Sequence, residues 1–305
     1  MRYLVTGGAG FIGSHLTEAL LSTGHQVVVF DDFSAGFKTN IPVGAEVIEG
    51  DIRKYDEINR ACVGVDGVFH LAALPRVQQS IDDPILAHEI NINGTLNVLL
   101  AARDQKVKRL VYSASCAAYG NSDSPTLTED LLPQPMSPYG LQKYVGEHYT
   151  RLFALLYGLE TVSLRYFNAY GPRMALQGGY VNVMSVFFKQ QRLGRPLSII
   201  GTGEQTRDFV YVGDIVRANI AAMTGTKVGH GEVINIGAGE KYSVNQIAAL
   251  VGGPIEHLPP RIEPQNALAD TSQARELLDW QAEMPFDQGF ALTRDWFAGL
   301  ENIPE

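Results

Sequence analysis

Residues 6–13 read Thr6-Gly-Gly-Ala-Gly-Phe-Ile-Gly13, directly after the apolar run Tyr3-Leu-Val. A strand that breaks into Gly7, Gly10 and Gly13 and resumes with helical periodicity is the start of a strand, tight turn and helix. Glycines here permit the turn, let backbone approach a pyrophosphate and let the helix pack on the strand, while the helix N-terminus attracts the anion. The stretch, with Phe11 and Ile12 inside it, reads as a cradle for a dinucleotide. A glycine-rich turn with no ligand is the alternative while the motif stands alone.

The next apolar run, Gln26-Val-Val-Val-Phe30, ends at Asp31. An acidic residue at that distance can accept both hydroxyls of a ribose, whereas a 2'-phosphate would require an arginine, so NAD is favoured over NADP. A solvated turn ahead of Ser34-Ala-Gly36 is the alternative for Asp31 and Asp32, and of the two only Asp31 is placed to hold the ribose.

Further short apolar runs, Gly67–Ala72 and Arg109–Ser113, alternate with amphipathic stretches, of which 84–103 is a long helical pattern. Strands of this kind, each followed by a helix, form a parallel sheet covered on both faces. The fold class is therefore α/β, a Rossmann-type doubly wound sheet with ligands beyond the carboxyl ends of its strands. After Leu159–Tyr166 the pattern loosens around Pro172, Gly178, Gly179, Pro196, Gly201 and Gly203, and strand character returns at Glu232–Ile236. The expected division is a dinucleotide domain over 1–167, re-entered around 208–245, with 168–207 and 246–305 forming mainly a smaller, interleaved substrate lobe.

The chain has 305 residues, a net charge of -9, 45% hydrophobic and 19% charged residues. That balance argues against a nucleic-acid or anionic-membrane surface. Cys62 and Cys116 are too few for a disulfide framework and lack metal-ligand spacing, so no metal is expected. An N-terminal strand in place of a signal peptide, and no run of spanning length, give the expectation of a soluble, cytoplasmic protein.

Tyr139-Gly-Leu-Gln-Lys143 places a phenol and an ammonium one helical turn apart, in a stretch opened by Ser137-Pro138. A tyrosine titrating near 10 is a poor base, but an adjacent ammonium and a positive nicotinamide both favour its phenolate. Ser115 lies just past the strand 109–113, where its hydroxyl could relay a proton between a substrate and Tyr139.

Taken together, Thr6–Gly13, Asp51-Ile52, His70-Leu-Ala-Ala73, Asn91-Ile-Asn-Gly-Thr95, Ser115, Tyr139-x-x-x-Lys143 and Arg165-Tyr-Phe-Asn168 resemble the extended short-chain dehydrogenase/reductases that act on nucleotide sugars. The resemblance covers almost the whole chain. It implies bound NAD, with Asp51 and Ile52 near the adenine, Ala72 and Asn91 along the dinucleotide, and Lys143 and Tyr166 toward the nicotinamide. It implies a nucleoside-diphosphate sugar held by Asn168, Asn182 and Arg207, and by Arg261 and Glu263, whose mutual spacing is one residue tighter than the commonest form. It also implies a homodimer, built from the helices 84–103 and 139–157.

Relatives that dehydrate or decarboxylate the sugar carry an acidic residue shortly before the Tyr119-Gly120 step, where this chain has Cys116 and Ala117. Ser, Tyr and Lys without an extra acid suffice to take a hydroxyl proton and exchange a hydride in both directions. The resemblance is therefore to the UDP-glucose 4-epimerase type, acting through a 4-keto sugar. Ala267 stands where a bulky tyrosine accompanies restriction to unacetylated hexoses, so UDP-GlcNAc/UDP-GalNAc are expected alongside UDP-Glc/UDP-Gal. A small core residue is the alternative for Ala267. UDP-glucuronate 4-epimerases share the triad, and Arg173 is the candidate cation for a uronate, although they tend to have Thr in place of Asn168. A non-catalytic NAD-binding regulator is the reading from another class. Such proteins usually lack the Tyr or the Lys, and this chain has both.

Overall fold

The computed structural model describes residues 1–175, 182–260 and 263–301. The apolar runs become β1 (Arg2–Thr6), β2 (Gln26–Asp31), β3 (Glu46–Glu49), β4 (Gly67–His70), β5 (Arg109–Ser115) and β6 (Glu160–Tyr166). There follow β7 (Asn168–Tyr170), β8 (Leu197–Ile200), β9 (Thr206–Tyr211), β10 (His230–Ile236), β11 (Lys241–Ser243), β12 (Ile255–Leu258) and β13 (Asn266–Ala267). The helices are α1 (Phe11–Ser22), α2 (Tyr55–Ala61), α3 (Val77–Asp82), α4 (Pro84–His88), α5 (Thr95–Asp104), α6 (Pro138–Tyr157), α7 (Val183–Arg192), α8 (Val212–Thr224), α9 (Val244–Val251), α10 (Ser272–Leu278) and α11 (Phe286–Ala298).

Seven parallel strands lie in the order β10-β6-β5-β4-β1-β2-β3, a Rossmann-type sheet. Successive residues on each strand feed opposite faces. Leu4, Val28, Phe30, Val68 and Leu110 pack with Ile58, Leu99 and Phe153 of α2, α5 and α6. Tyr3, Val5, Val27, Phe69 and Val111 pack with Leu16, Leu20 and Val216 of α1 and α8. Burial on both faces is why these strands read as unbroken apolar runs. Strand order reverses between β1 and β4, and that is where a doubly wound sheet opens its ligand crevice.

A second core, with Met184, Phe187, Leu197, Phe209, Ile247 and Phe290, gathers α7, α9 and α11 around β8 and β9. Here β9 pairs with β7, β11 and β13, while β12 pairs with β8. The return to the large sheet is narrower than 208–245. Within that stretch α8 and β10 lie on the large sheet, while β9 and β11 on either side hydrogen-bond in the small sheet; farther on, α10 packs against β10 with Ala274 and Leu278 in the same core.

The helical pattern over 84–103 is interrupted by a π-helical stretch at Glu89–Gly94 between α4 and α5. A Cβ on Gly94 would sit 2.6 Å from Ile52 Cδ1, so the widened turn lies flush against the segment after β3.

Candidate active site

The glycine turn forms as its spacing requires. Gly7 has φ +70, and a Cβ there would meet Ala72 N at 2.8 Å, so the loops after β1 and β4 touch at the switch point. A Cβ on Gly13 would meet Gly7 O at 2.2 Å, which locks α1 against the turn. Gly10 supplies no side-chain cap to α1, leaving the first N–H groups of Phe11, Ile12 and Gly13 for an anion. Asp31, nearly buried at the end of β2, accepts N–H from Ala9 through Oδ2 and from Phe33 through Oδ1, each at 2.9 Å. Burial raises its carboxyl, and these donors hold it down. Each oxygen keeps lone-pair capacity for a ribose hydroxyl. Open helix N-terminus, side-chain-free cradle and seated carboxylate fit a dinucleotide. Asp51 lies past β3, gripped by the Arg53 guanidinium at 2.5 Å, and Ile52 is buried beside it.

Asn91, which the resemblance sets along the dinucleotide, is bonded to the loop after β4 and to α6. Its amide donates to Leu74 O at 3.1 Å and Gln142 Oε1 at 2.8 Å, and its oxygen accepts Leu74 N–H at 2.8 Å, with 1% of the residue exposed. Both amide protons are committed within the protein. Asn91 holds the loop after β4 in shape.

Ser137 caps α6 by accepting N–H from Gly140 at 3.1 Å, with Pro138 at the first helical position. That fixes Tyr139 in the first turn, where its N–H also donates to Ser80 Oγ at 3.1 Å. One turn on, the buried Lys143 donates from Nζ to Ser113 O at 2.7 Å and lies 4.9 Å from the centre of the Tyr112 ring. Ser115 ends β5 in register with Tyr166 on β6, and its Oγ accepts Ala117 N–H at 3.2 Å. A Cβ on Gly140 would lie 2.5 Å from Ala117 O, so the first turn of α6 presses on the 116–118 turn and brings Tyr139 to Ser115. Tyr166 turns its hydroxyl inward, to Ser113 at 3.1 Å and Asn219 at 2.8 Å.

The electrostatics of the chain by itself differ from the sequence expectation. Burial pushes the Tyr139 phenol up to about 12, with the Ser115 hydroxyl pulling against it, and pushes Lys143 down to about 7. The lowered phenol expected from the sequence counted the ammonium together with a positive nicotinamide; in the polypeptide by itself low dielectric outweighs the ammonium. Burial likewise lifts the Cys116 thiol to about 12, so it is no acid–base group at neutral pH.

In the smaller lobe Arg207 pairs with Glu263, at 3.3 Å. Ala267, 7% exposed, sits opposite Arg207 in the β13–β9 pairing. Asn168 donates to Asp208 O at 3.0 Å. Asn182 caps α7 by accepting Ser185 N–H at 3.1 Å and donates to Ala169 O at 2.8 Å. Arg261 lies outside the described residues. Arg173, with φ +65, reaches back to α1, 2.5 Å from Glu18 and 2.6 Å from His15.

A family model described as the NAD-dependent epimerase/dehydratase family matches residues 3–237. The chain belongs to that family. A putative UDP-glucose 4-epimerase of Methanocaldococcus jannaschii is 37% identical over 96% of this chain and 97% of its own length. The crystal structure of Thermotoga maritima UDP-glucose 4-epimerase with UDP-glucose superposes with a TM-score of 0.92 at 37% identity, covering 98% of this chain and 99% of that one. A UDP-N-acetyl-α-D-glucosaminuronate decarboxylase of Bacillus cytotoxicus is 34% identical over 99% of both chains. Family membership thus leaves the reaction to be argued from the site.

Within this NAD-dependent scaffold the sequence reading gave no role to three buried polar residues. His70 joins β1 and β4 to α5. Thr95 Oγ1 donates to Asn91 O at 2.7 Å and so accepts from His70 Nε2 at 3.0 Å. Thr6 Oγ1 then donates to His70 Nδ1 at 2.8 Å and accepts Ala72 N–H at 3.2 Å. Asp208 accepts N–H from Ala238, Gly239 and Ala269, tying β9 to the β10–β11 turn and the end of β13. Glu147 forms a buried two-point pair with Arg165, each contact 2.8 Å. The His70-Leu-Ala-Ala73 and Arg207-Asp208 motifs held the signal for the first two. Glu147 had none beyond its place one turn after Lys143.

Proposed function

We propose that the chain is a UDP-sugar 4-epimerase working with bound NAD. The observation that carries this is the Ser115–Tyr139–Lys143 constellation at the sheet's crevice beside a 115–118 turn without a carboxylate. Dehydration and decarboxylation both need a further acid or base on the oxidised sugar. The carboxylates facing this region are otherwise engaged: Asp208 accepts three backbone N–H groups and Glu147 is paired with Arg165.

In this reading Ser115 Oγ, held by Ala117 N–H, relays the 4-hydroxyl proton to Tyr139 Oη, which later returns it. Lys143 faces Tyr139 as the charge that makes a phenolate tolerable. NAD, when bound, would supply a reversible hydride acceptor and a positive charge that favours the phenolate. Gly7, Gly10 and Gly13, the N–H groups of Phe11 and Ile12, and Asp31 would hold it, with Asp51, Ile52, Ala72 and Tyr166 bordering it. Arg207 and Glu263, with Asn168, Asn182 and Arg261, anchor the nucleotide while the sugar turns over.

Ala267 supports UDP-GlcNAc/UDP-GalNAc alongside UDP-Glc/UDP-Gal, because no bulk stands at that place. The uronate reading is disfavoured by Asn168, where those enzymes tend to have Thr; its candidate cation, Arg173, contacts Glu18 and His15 on α1.

Incubating the protein with UDP-GlcNAc, UDP-Glc or UDP-glucuronate and following the anomeric protons by NMR tests the proposal. The GalNAc and Gal products are expected. Turnover of the uronate alone would overturn the sugar assignment, and no turnover with NAD supplied would overturn the reaction.

The reading extends to a cytoplasmic homodimer. Ile85 on α4 and Leu141, Leu152, Leu155 and Leu156 on α6 are exposed, and a cavity of about 490 Å³ lies between α4, the π-helical stretch and α6. A contiguous apolar face of this kind suits a partner helix pair. Sedimentation at micromolar concentration decides it: a monomer would refute the pairing.

A further inference from the structure

Lys143 is sealed in the interior, and the groups around it are few. Tyr139 and Glu147 flank it on α6, Tyr112 and the Ser113 carbonyl face it from β5, and His70 approaches from β4. His70 lies between two threonine hydroxyls, and burial drives it well below its ordinary titration, so it adds no charge at neutral pH. The one anion in this set is Glu147. It sits four positions beyond Lys143, hence one turn along the same helix face, and is 2% exposed at its side chain. Arg165 reaches it from β6 through Nε and Nη2, and the guanidinium lies 4.5 Å from the centre of the Tyr119 ring. Tyr119 in turn donates to Asn235 on β10 at 2.8 Å.

A buried ion pair gives little stability over apolar residues of the same shape, so its placement calls for another reason. We propose that Glu147, held in place and partly neutralised by Arg165, is a positioning residue that keeps the Lys143 ammonium charged while Tyr139 loses its proton. The inference rests on the reading of Tyr139 and Lys143 as the reacting pair. Without an anion one turn away, a buried lysine sheds its proton, and the phenolate loses its neighbouring charge. With a full, uncompensated carboxylate there, Lys143 would be held too firmly. Arg165 sets the balance between these limits.

The pair offers a test in which the two partners act with opposite sign. NAD-loaded protein carrying ¹³Cε-labelled lysine is titrated by NMR, the Lys143 signal being assigned with Lys143→Met. Glu147→Gln is expected to lower the Lys143 titration by about one pH unit or more, since each unit is a tenfold change in the proton equilibrium. Arg165→Met is expected to raise it, and Arg165→Lys to leave it near wild type. The alkaline limb of the kcat profile should move in the same directions.

Equal shifts in one direction for both partners, or none, would reduce the pair to packing and overturn the proposal. If Glu147→Gln fails to fold, Arg165→Met decides: an upward shift supports the proposal and any other result refutes it. The NMR titration needs no turnover, so a chain that epimerises nothing would refute the functional reading while the titration still shows whether Glu147 sets the charge of Lys143.

Discussion

Arg207 on β9 and Glu263 just before β13 face each other at 3.3 Å, and these are the two side chains proposed to hold the phosphate and ribose of one nucleotide. Each is about one-sixth exposed, and binding must re-aim the guanidinium from a carboxylate to a pyrophosphate. Arg207→Ala is expected to raise KM for the UDP-sugar about 10- to 100-fold, the value of one charge-assisted contact, with kcat changed far less. Steady-state kinetics at two salt concentrations check it. A fall in kcat with KM unchanged would place Arg207 elsewhere in the cycle.

Tyr139→Phe keeps the ring that packs against the 116–118 turn and removes only the hydroxyl. Turnover is expected to fall about 10³-fold, within the range for a positioned acid–base group, while NAD content and thermal stability stay near wild type. Lys143→Met should fall by a similar factor, and it removes the donor to Ser113 O as well. Retained turnover in the Phe variant would remove Tyr139 from the acid–base role, whereas a wild-type chain that binds NAD without turnover and loses nothing on the substitution would be a binding protein.

How far the sequence could be read follows from what each signal depends on. Strands buried on both faces have no choice but continuous apolar runs, so β1, β2, β4, β5 and β6 were legible. The glycine turn was legible because a Cβ fits at neither Gly7 nor Gly13. The boundary of the re-entry was not, because Phe209 and Val210 are buried whichever sheet β9 joins. The bonds of the Asn91 side chain were not legible, because a helical period cannot show a π turn that swings one amide into the interior. The burial that raises the Tyr139 phenol and lowers Lys143 in the polypeptide was not legible, because spacing records neighbours and not depth. Glu147 and Arg165 meet from elements 18 positions apart, a pairing only the fold creates.

His70 makes acid the weak point of the large lobe. Burial lowers its titration from about 6.5 in an unfolded chain to about 3. The folded state therefore resists a proton that the unfolded chain accepts below about 6.5. Stability is full above that pH and falls by about 1.4 kcal/mol for each unit below it, down to the folded value. His15, lowered to about 4 by burial, adds to the slope. Denaturant midpoints at pH 7 and pH 5 should show the loss. His70→Asn should be less stable at pH 7 and flatter across the interval, and an unchanged slope would assign the acid sensitivity to other groups.

Ala267 decides between a roomy sugar pocket and a small residue packed for its own sake. It belongs to the core that includes Leu127, Tyr119 and Ala269, and its register partner is Arg207. If the side chain borders the sugar's C2 substituent, Ala267→Tyr fills the space an N-acetyl group needs and leaves a hydroxyl room to turn. The ratio of kcat/KM for UDP-GlcNAc to that for UDP-Glc should then drop about tenfold or more, on the scale by which a steric change in a pocket discriminates substrates. If Ala267 is only core, the added ring strains the β13–β9 pairing and both substrates lose activity together, with a lower melting temperature. A common loss measures overpacking, typically about 1–3 kcal/mol, and a changed ratio measures contact with the sugar, so the two readings separate on one variant.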